Sequence, residues 1–215
     1  AMTPDNHTEA LTRALSWDNC ALLTNSLKPY ACCRHTHAAD YCAQLLRGEH
    51  RLEPEHITRI VDHTYQVAVN TVDNPEPSTP YVYKFSGQYC TAAMLVYGHL
   101  GESAFTPEAT SDPRVRRLMD KITLVCDPEL EASYQADRNR WAHRLEVTLE
   151  DGRVLTRQVE YPYGDFNNPF TWAYEHEKFH TLADGVLGPD RVAALVERLP
   201  HLEELDDINR LFEGL

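Results

Sequence analysis

The stretch from Ala142 to Tyr161 does most to limit what this chain can fold into. Two alternating segments flank "EDGR": Leu145, Val147 and Leu149 fall on one face before it, and Leu155, Val159 and Tyr161 follow it. A period of two sends successive side chains to opposite faces of a strand, and Asp-Gly is a dipeptide that a two-residue type I′ hairpin turn prefers. The pattern predicts a β-hairpin. A lone hairpin is marginal in water, so the rest of the chain has to supply further strands and helices to cover one of its faces.

Those elements are visible in the periodicity. Ala38, Tyr41, Cys42, Leu45 and Leu46 recur at helical spacing and predict a helix from His37 to Leu46, with Gly48 to end it. The run Ile57 to Val72 is rich in Ile, Val, Thr and Tyr and predicts a strand. Residues 73–80 hold three prolines and predict a loop. A helix is expected over Phe85 to Tyr97, and another from Asp112 as N-cap with Pro113 in the first turn, followed by a further strand before the hairpin. From Phe170 onward the spacing is helical again, over Trp172 to Leu182, Pro189 to Leu199 and Leu202 to Leu211. Leu11, Leu15, Leu22 and Leu23 give a short amphipathic lead-in.

The resulting fold class is α+β: a small, mostly antiparallel sheet with helices, then a helical tail. The expected division is residues 1–27 as lead-in, 28–166 as the α+β domain and 167–215 as the helical segment. Three amphipathic tail helices with no evident core of their own need another surface to cover them.

The chain is long enough for a substantial core, with 42% apolar residues in 215. It carries 33 acidic against 20 basic residues, net −13, with no basic run, which argues against nucleic acid or an anionic membrane as the main partner. The longest stretch free of Asp, Glu, Lys and Arg, Phe85 to Gly101, is too short and too polar to span a bilayer. Polar residues follow Met2 at once, without a signal-peptide pattern, so a cytoplasmic location is expected. Six cysteines in a chain of this size are expected to be reduced thiols.

The chemistry-bearing residues concentrate in "KPYACCRHTH", residues 28–37. One reading is a metal cluster of Cys32, Cys33, His35 and His37, but adjacent cysteines cannot easily aim at one ion. A second is a thiol nucleophile activated by Lys28, Arg34 and the histidines, set against plain burial of the cysteines. A third takes the charges together: Lys28 and Arg34 suit carboxylates, and a histidine titrating near neutrality can move a proton beside one. Elsewhere "HEKFH", residues 176–180, matches the H-E-x-x-H zinc-peptidase pattern, with Glu203 or Glu204 as a third ligand. Its charged Lys178 and polar flanks favour a solvated helix face instead.

"LKPYACCRHTHAAD" resembles the lid signature of the MmgE/PrpD family, which includes 2-methylcitrate dehydratases, cis-aconitate decarboxylases and iminodisuccinate epimerases. The stretches "PYVYKFSGQYCTAAMLVYGHLGESAFTPE", "DPRVRRLMDKITLVCDPEL", "VTLEDGRVLTRQVEYPYGDFNNP" and "EKFHTLADGVLGPDRVAALVERLPHLEELDDI" resemble the same family in the same order. The resemblance implies a lid-type α+β domain plus C-terminal helices that pack back on an N-terminal helical domain, and no such domain is expected in these 215 residues. It implies lyase or isomerase chemistry, by proton transfer next to a carboxylate or carbonyl of a small molecule, without cofactor or metal. It places Lys28 in a carboxylate pocket, and Cys33 where the decarboxylases carry a histidine. Lys28, His37, His35 and Tyr89 are then the catalytic candidates, and Lys28, Arg34 and Cys33 the substrate-binding ones. The partners expected are a small carboxylate, and either further copies of the chain or a helical-domain partner. Two alternatives stand beside the enzyme: a half-site or non-catalytic subunit, and a fold recruited to a dehydration or cyclisation step in a biosynthetic pathway.

Overall fold

The structure is a computed structural model that describes residues 20–213. The chain forms two compact units, one ending at Pro169 and one beginning at Phe170.

The first unit is built on a four-stranded sheet: β1 (Ile57–Thr64), β2 (Ile122–Cys126), β3 (His143–Leu149) and β4 (Val154–Val159), in the order β2-β1-β3-β4. β1 pairs parallel with β2 and antiparallel with β3, and β3 pairs antiparallel with β4. The hairpin is present, and β3 alternates strictly, with His143, Leu145, Val147 and Leu149 buried. Its turn departs from the two-residue expectation. Leu149 N–H donates to Arg153 O and Gly152 N–H to Leu149 O, and only Gly152 has a positive φ, +84°. This is a three-residue loop with Gly152 in the left-handed position, so Asp151 avoids the unfavourable φ that a type I′ turn demands.

Helices surround the sheet: α1 (His37–His50), α2 (Gln66–Val72), α3 (Pro80–Tyr83), α4 (Gly87–Tyr97), α5 (Pro107–Thr110), α6 (Pro113–Met119) and α7 (Pro128–Ala136). α4 is buried almost all round, starts where Ser86 accepts from the Tyr89 N–H, and stops at Gly98 with φ +78°. It packs on α1, α6 and β2, while α1 packs on β3 and β4, so the core lies between these two helices and the sheet. Asp112 caps α6, accepting from the Arg114 N–H, as its sequence position predicts.

Two boundaries differ from expectation. α1 runs through Gly48 to His50 and closes at Arg51, φ +48°; Gly48 faces open space, where a helical glycine is tolerated at about 1 kcal/mol. The predicted strand from Ile57 to Val72 ends at Thr64, and the rest is α2. Ala68 and Val72, four apart, turn one helical face into the core, and the Glu131 carboxylate caps the Gln66 N–H at 2.8 Å. Packing and capping outweigh the β-propensity of the valines. In the lead-in, Leu11 and Leu15 lie outside the described residues, while Leu22 and Leu23 sit exposed in a 3-10 turn.

The second unit contains α8 (Trp172–Leu187) and α9 (Pro189–Arg198). The expected third helix is instead two 3-10 turns, Leu199–Glu204 and Ile208–Phe212, with a break at His201 and a fresh cap at Asp207. Val192, Leu195 and Leu211 are buried. No helix among the described residues is long and apolar enough to cross a membrane.

Candidate active site

The segment before α1 is held to the first unit by backbone hydrogen bonds. Leu27 N–H donates to Gly164 O, Ala31 N–H to Leu100 O and Cys33 N–H to Lys84 O, each at 2.8 Å. This pinning sorts the side chains. Tyr30, Cys32, Thr36 and His37 are buried, whereas Lys28 is exposed and Cys33, Arg34 and His35 are half-buried. Lys28 Nζ donates to Cys32 O at 3.1 Å, which steadies the start of the segment.

Arg34 and His35 share a platform the sequence did not reveal. The Arg34 guanidinium bonds Asp165 at 2.6 Å and lies 5.2 Å from the Trp141 ring. Ser26 also donates to that Asp165 oxygen, at 2.8 Å. The His35 ring stacks on Trp141 at 4.5 Å, with planes 2° apart, and its Nδ1 lies 2.7 Å from the Tyr65 hydroxyl. Burial, with His143 and Arg34 nearby, pulls the His35 pKa down to about 4, so the ring is neutral at pH 7.

Behind this platform lies a buried polar hub. Tyr65 stacks on Tyr134 at 4.2 Å and meets the His143 ring edge-on at 6.1 Å. His143 Nδ1 is 2.8 Å from Asp62 Oδ1, and its Nε2 is 3.0 Å from Thr64 Oγ1. One signal for the hub was present in the sequence: His143 shares the parity of Leu145, Val147 and Leu149, which puts a polar ring on the buried face.

The other candidates face inward. His37 is fully buried, packs edge-on against Tyr30 at 5.2 Å and places Nε2 3.4 Å from Cys32 O. Tyr89 is fully buried in α4, its hydroxyl donates to Ala104 O, and burial pushes its phenol up. The Cys33 thiol is likewise pushed up by burial. Among the described residues, Cys32, Cys33, His35 and His37 do not converge on a common point, and neither do His176 and His180 with a third donor. His180 instead meets Asp184 at 3.0 Å, and His176 lies against Trp172. A shallow groove lined by His50, Arg51, Glu53, His56, Glu150 and Arg153 contains none of the signature residues.

Known proteins resemble the chain. It is 32% identical over 136 residues to a mitochondrial 2-methylcitrate dehydratase of Yarrowia lipolytica, covering 60% of this chain and 26% of that protein. It is 35% identical over 111 residues to a 2-methylcitrate dehydratase of Cupriavidus necator, covering 50% of this chain and 23% of that one. It is 28% identical over 206 residues to a cis-aconitate decarboxylase of Aspergillus terreus, covering 89% of this chain and 40% of that enzyme. The chain thus spans well under half the length of each of these relatives. Residues 30–201 match the MmgE/PrpD C-terminal domain, a span that takes in nearly all of the signature, the sheet and most of the second unit, so the chain belongs to the MmgE/PrpD family.

Proposed function

We propose that this chain forms the lid side of an active site for lyase or isomerase chemistry on a small carboxylate, by proton transfer at a carbon beside a carboxylate or carbonyl. The observation that carries the reading is that Lys28 is exposed and Arg34 and His35 are half-buried in one short segment, the last two inside the family match and Lys28 two residues before it. Lys28 supplies an exposed ammonium for the substrate carboxylate. Arg34, over Trp141 and bonded to Asp165, offers its remaining N–H groups as a second anion contact. His35 is the proton carrier. With Nδ1–H donating to the Tyr65 hydroxyl, Nε2 of the neutral ring is free to take a proton from the substrate carbon and to return it from the imidazolium so formed. His37 and Tyr89, buried behind the segment, act as its supports, and Cys33 is a wall of the pocket.

The reading is tested with candidate di- and tricarboxylic acids in deuterated water, following exchange at the carbon next to the carboxylate. Exchange or turnover that falls at least about tenfold on Lys28→Ala supports it. Activity unchanged by both Lys28→Ala and His35→Gln overturns it.

A second reading is favoured by one observation: the chain spans only 23% to 40% of these relatives' lengths. In that reading the chain is a half-site, and a helical body in the same polypeptide or a partner provides the base. Turnover that requires added helical domain is its expected outcome, and turnover by residues 20–213 alone rules it out.

A further inference from the structure

Beneath the signature segment, three donors from different parts of the chain meet. Cys32 lies in the extended segment, Asp40 one turn into α1, and Cys90 in α4, and their relative exposures are 4%, 0% and 0%. Their ligand atoms all lie within 4.8 Å of one another, and Cys32 Sγ is 3.6 Å from Asp40 Oδ2. A tetrahedral zinc ion, with bonds of about 2.3 Å to sulfur and about 2.0–2.2 Å to oxygen, separates S from O by about 3.5 Å and S from S by about 3.8 Å. The observed spacing therefore fits one ion with small side-chain adjustments. Thr36 Oγ1, 3.3 Å from Cys32 Sγ and 2.7 Å from Asp40 Oδ2, closes a fourth side.

Charge balance points the same way. Asp40 hydrogen-bonds only to Thr36 and Cys32 among the described residues, and no Lys, Arg or His pairs with it. Its second oxygen, Oδ1, is buried with no partner. His37 meets the Cys32 thiol and not this carboxyl, and a fully buried carboxyl with no basic partner of its own is costly unless protons or a cation occupy the site. Adjacent Cys32 and Cys33 could not serve one ion; what completes the set is Cys90, brought in by α4.

We propose that Cys32, Asp40 and Cys90 form a buried site for a thiophilic divalent cation of the zinc type, one that ties the signature segment to α4. The site has no solvent-facing position, so the ion is structural and stands apart from the proton chemistry proposed for the outer face. Binding releases the thiol and carboxyl protons, so affinity rises with pH.

The test uses the full chain, reduced and stripped of metal, titrated with Zn²⁺ against a chromophoric chelator, and with Co²⁺ as a spectroscopic probe. One equivalent bound, with tetrahedral thiolate-type Co²⁺ bands, is expected. Cys90→Ser and Asp40→Asn should weaken Zn²⁺ at least about tenfold, while Cys33→Ser and Cys126→Ser leave it unchanged. The Co²⁺ spectrum of the unaltered chain stands as evidence even where a buried variant fails to fold. No uptake by the reduced chain, octahedral Co²⁺ bands, a Cys32–Cys90 disulfide that forms in its place, or binding that survives in folded Cys90→Ser overturns the proposal.

Discussion

The unit ending at Pro169 and the unit beginning at Phe170 treat apolar side chains differently. In the first, Ile57, Ile60, Leu46, Met94, Leu95 and Leu145 vanish into one core between the sheet, α1 and α4. In the second, Val192, Leu195 and Leu211 are buried, while Trp172, Leu182, Val186, Ile208 and Phe212 are all more than half exposed. Apart from exposed Leu22, Leu23, Tyr81 and Val154, the first unit covers most of its own apolar pattern. The second leaves much of its apolar pattern uncovered by its own helices.

The sharpest way to break that contrast is to strike the hub of the first unit. His143→Ala leaves Asp62, 1% exposed, without its ring partner. Uncoupling a buried pair costs about 3–5 kcal/mol, so a loss of that size is expected in urea unfolding. A loss below about 1 kcal/mol would show that water or another group replaces the ring, and that the interior is less closed than its burial indicates.

Next in size is a matched pair of truncations. Leu145→Ala, at 0% exposure between sheet and helices, should cost about 3–4 kcal/mol; Leu195→Ala, at 6% exposure in a two-helix unit, should stay near 2 kcal/mol because its surroundings can collapse around the gap. Calorimetry of both variants decides it. Equal losses would mean that the tail has a core as firm as the lid's.

How much of this was legible in the sequence follows the same division. The hairpin and its parity, the Asp112 cap and the exposed tail faces could be read, because each depends on neighbours a few residues apart. The end of β1 could not, since Ala68, Val72 and Glu131 choose helix only once the fold brings them together. Lys28, Arg34 and His35 stood out as chemistry. Trp141 and Asp165, which hold Arg34, and Tyr65, which fixes His35, come from segments 30 to 131 positions away from their partners, and no local pattern marks them.

A third prediction uses His35 to ask whether the outer face is as tightly set as the hub behind it. Its folded pKa of about 4 lies below the ordinary histidine value near 6.5. The unfolded chain takes up a proton as pH falls through 6.5, and the folded chain does not until near 4. Stability is therefore lost between those values and levels off below them. With the ring only half-buried, the loss is on the order of 1 kcal/mol. His35→Gln should remove that part of the slope between pH 7 and pH 4.5 in urea unfolding. An unchanged slope would mean that the ring titrates as it does in water, and that Trp141 and Tyr65 do not hold it.

The smallest expected effect tests the tail most directly. Leu182 and Val186 are 56% and 83% exposed on α8, one turn apart, so replacing both by Ser removes no buried contact within the unit. Surface substitutions of this kind stay within about 0.5 kcal/mol, and unfolding of the double variant should match the parent chain. What should change is association: if these side chains form the face that packs on other protein, self-association seen by sedimentation falls in the variant while stability holds. A destabilisation of 2 kcal/mol or more would instead place both side chains inside a core. The tail would then be complete in itself, and the contrast between the two units would disappear.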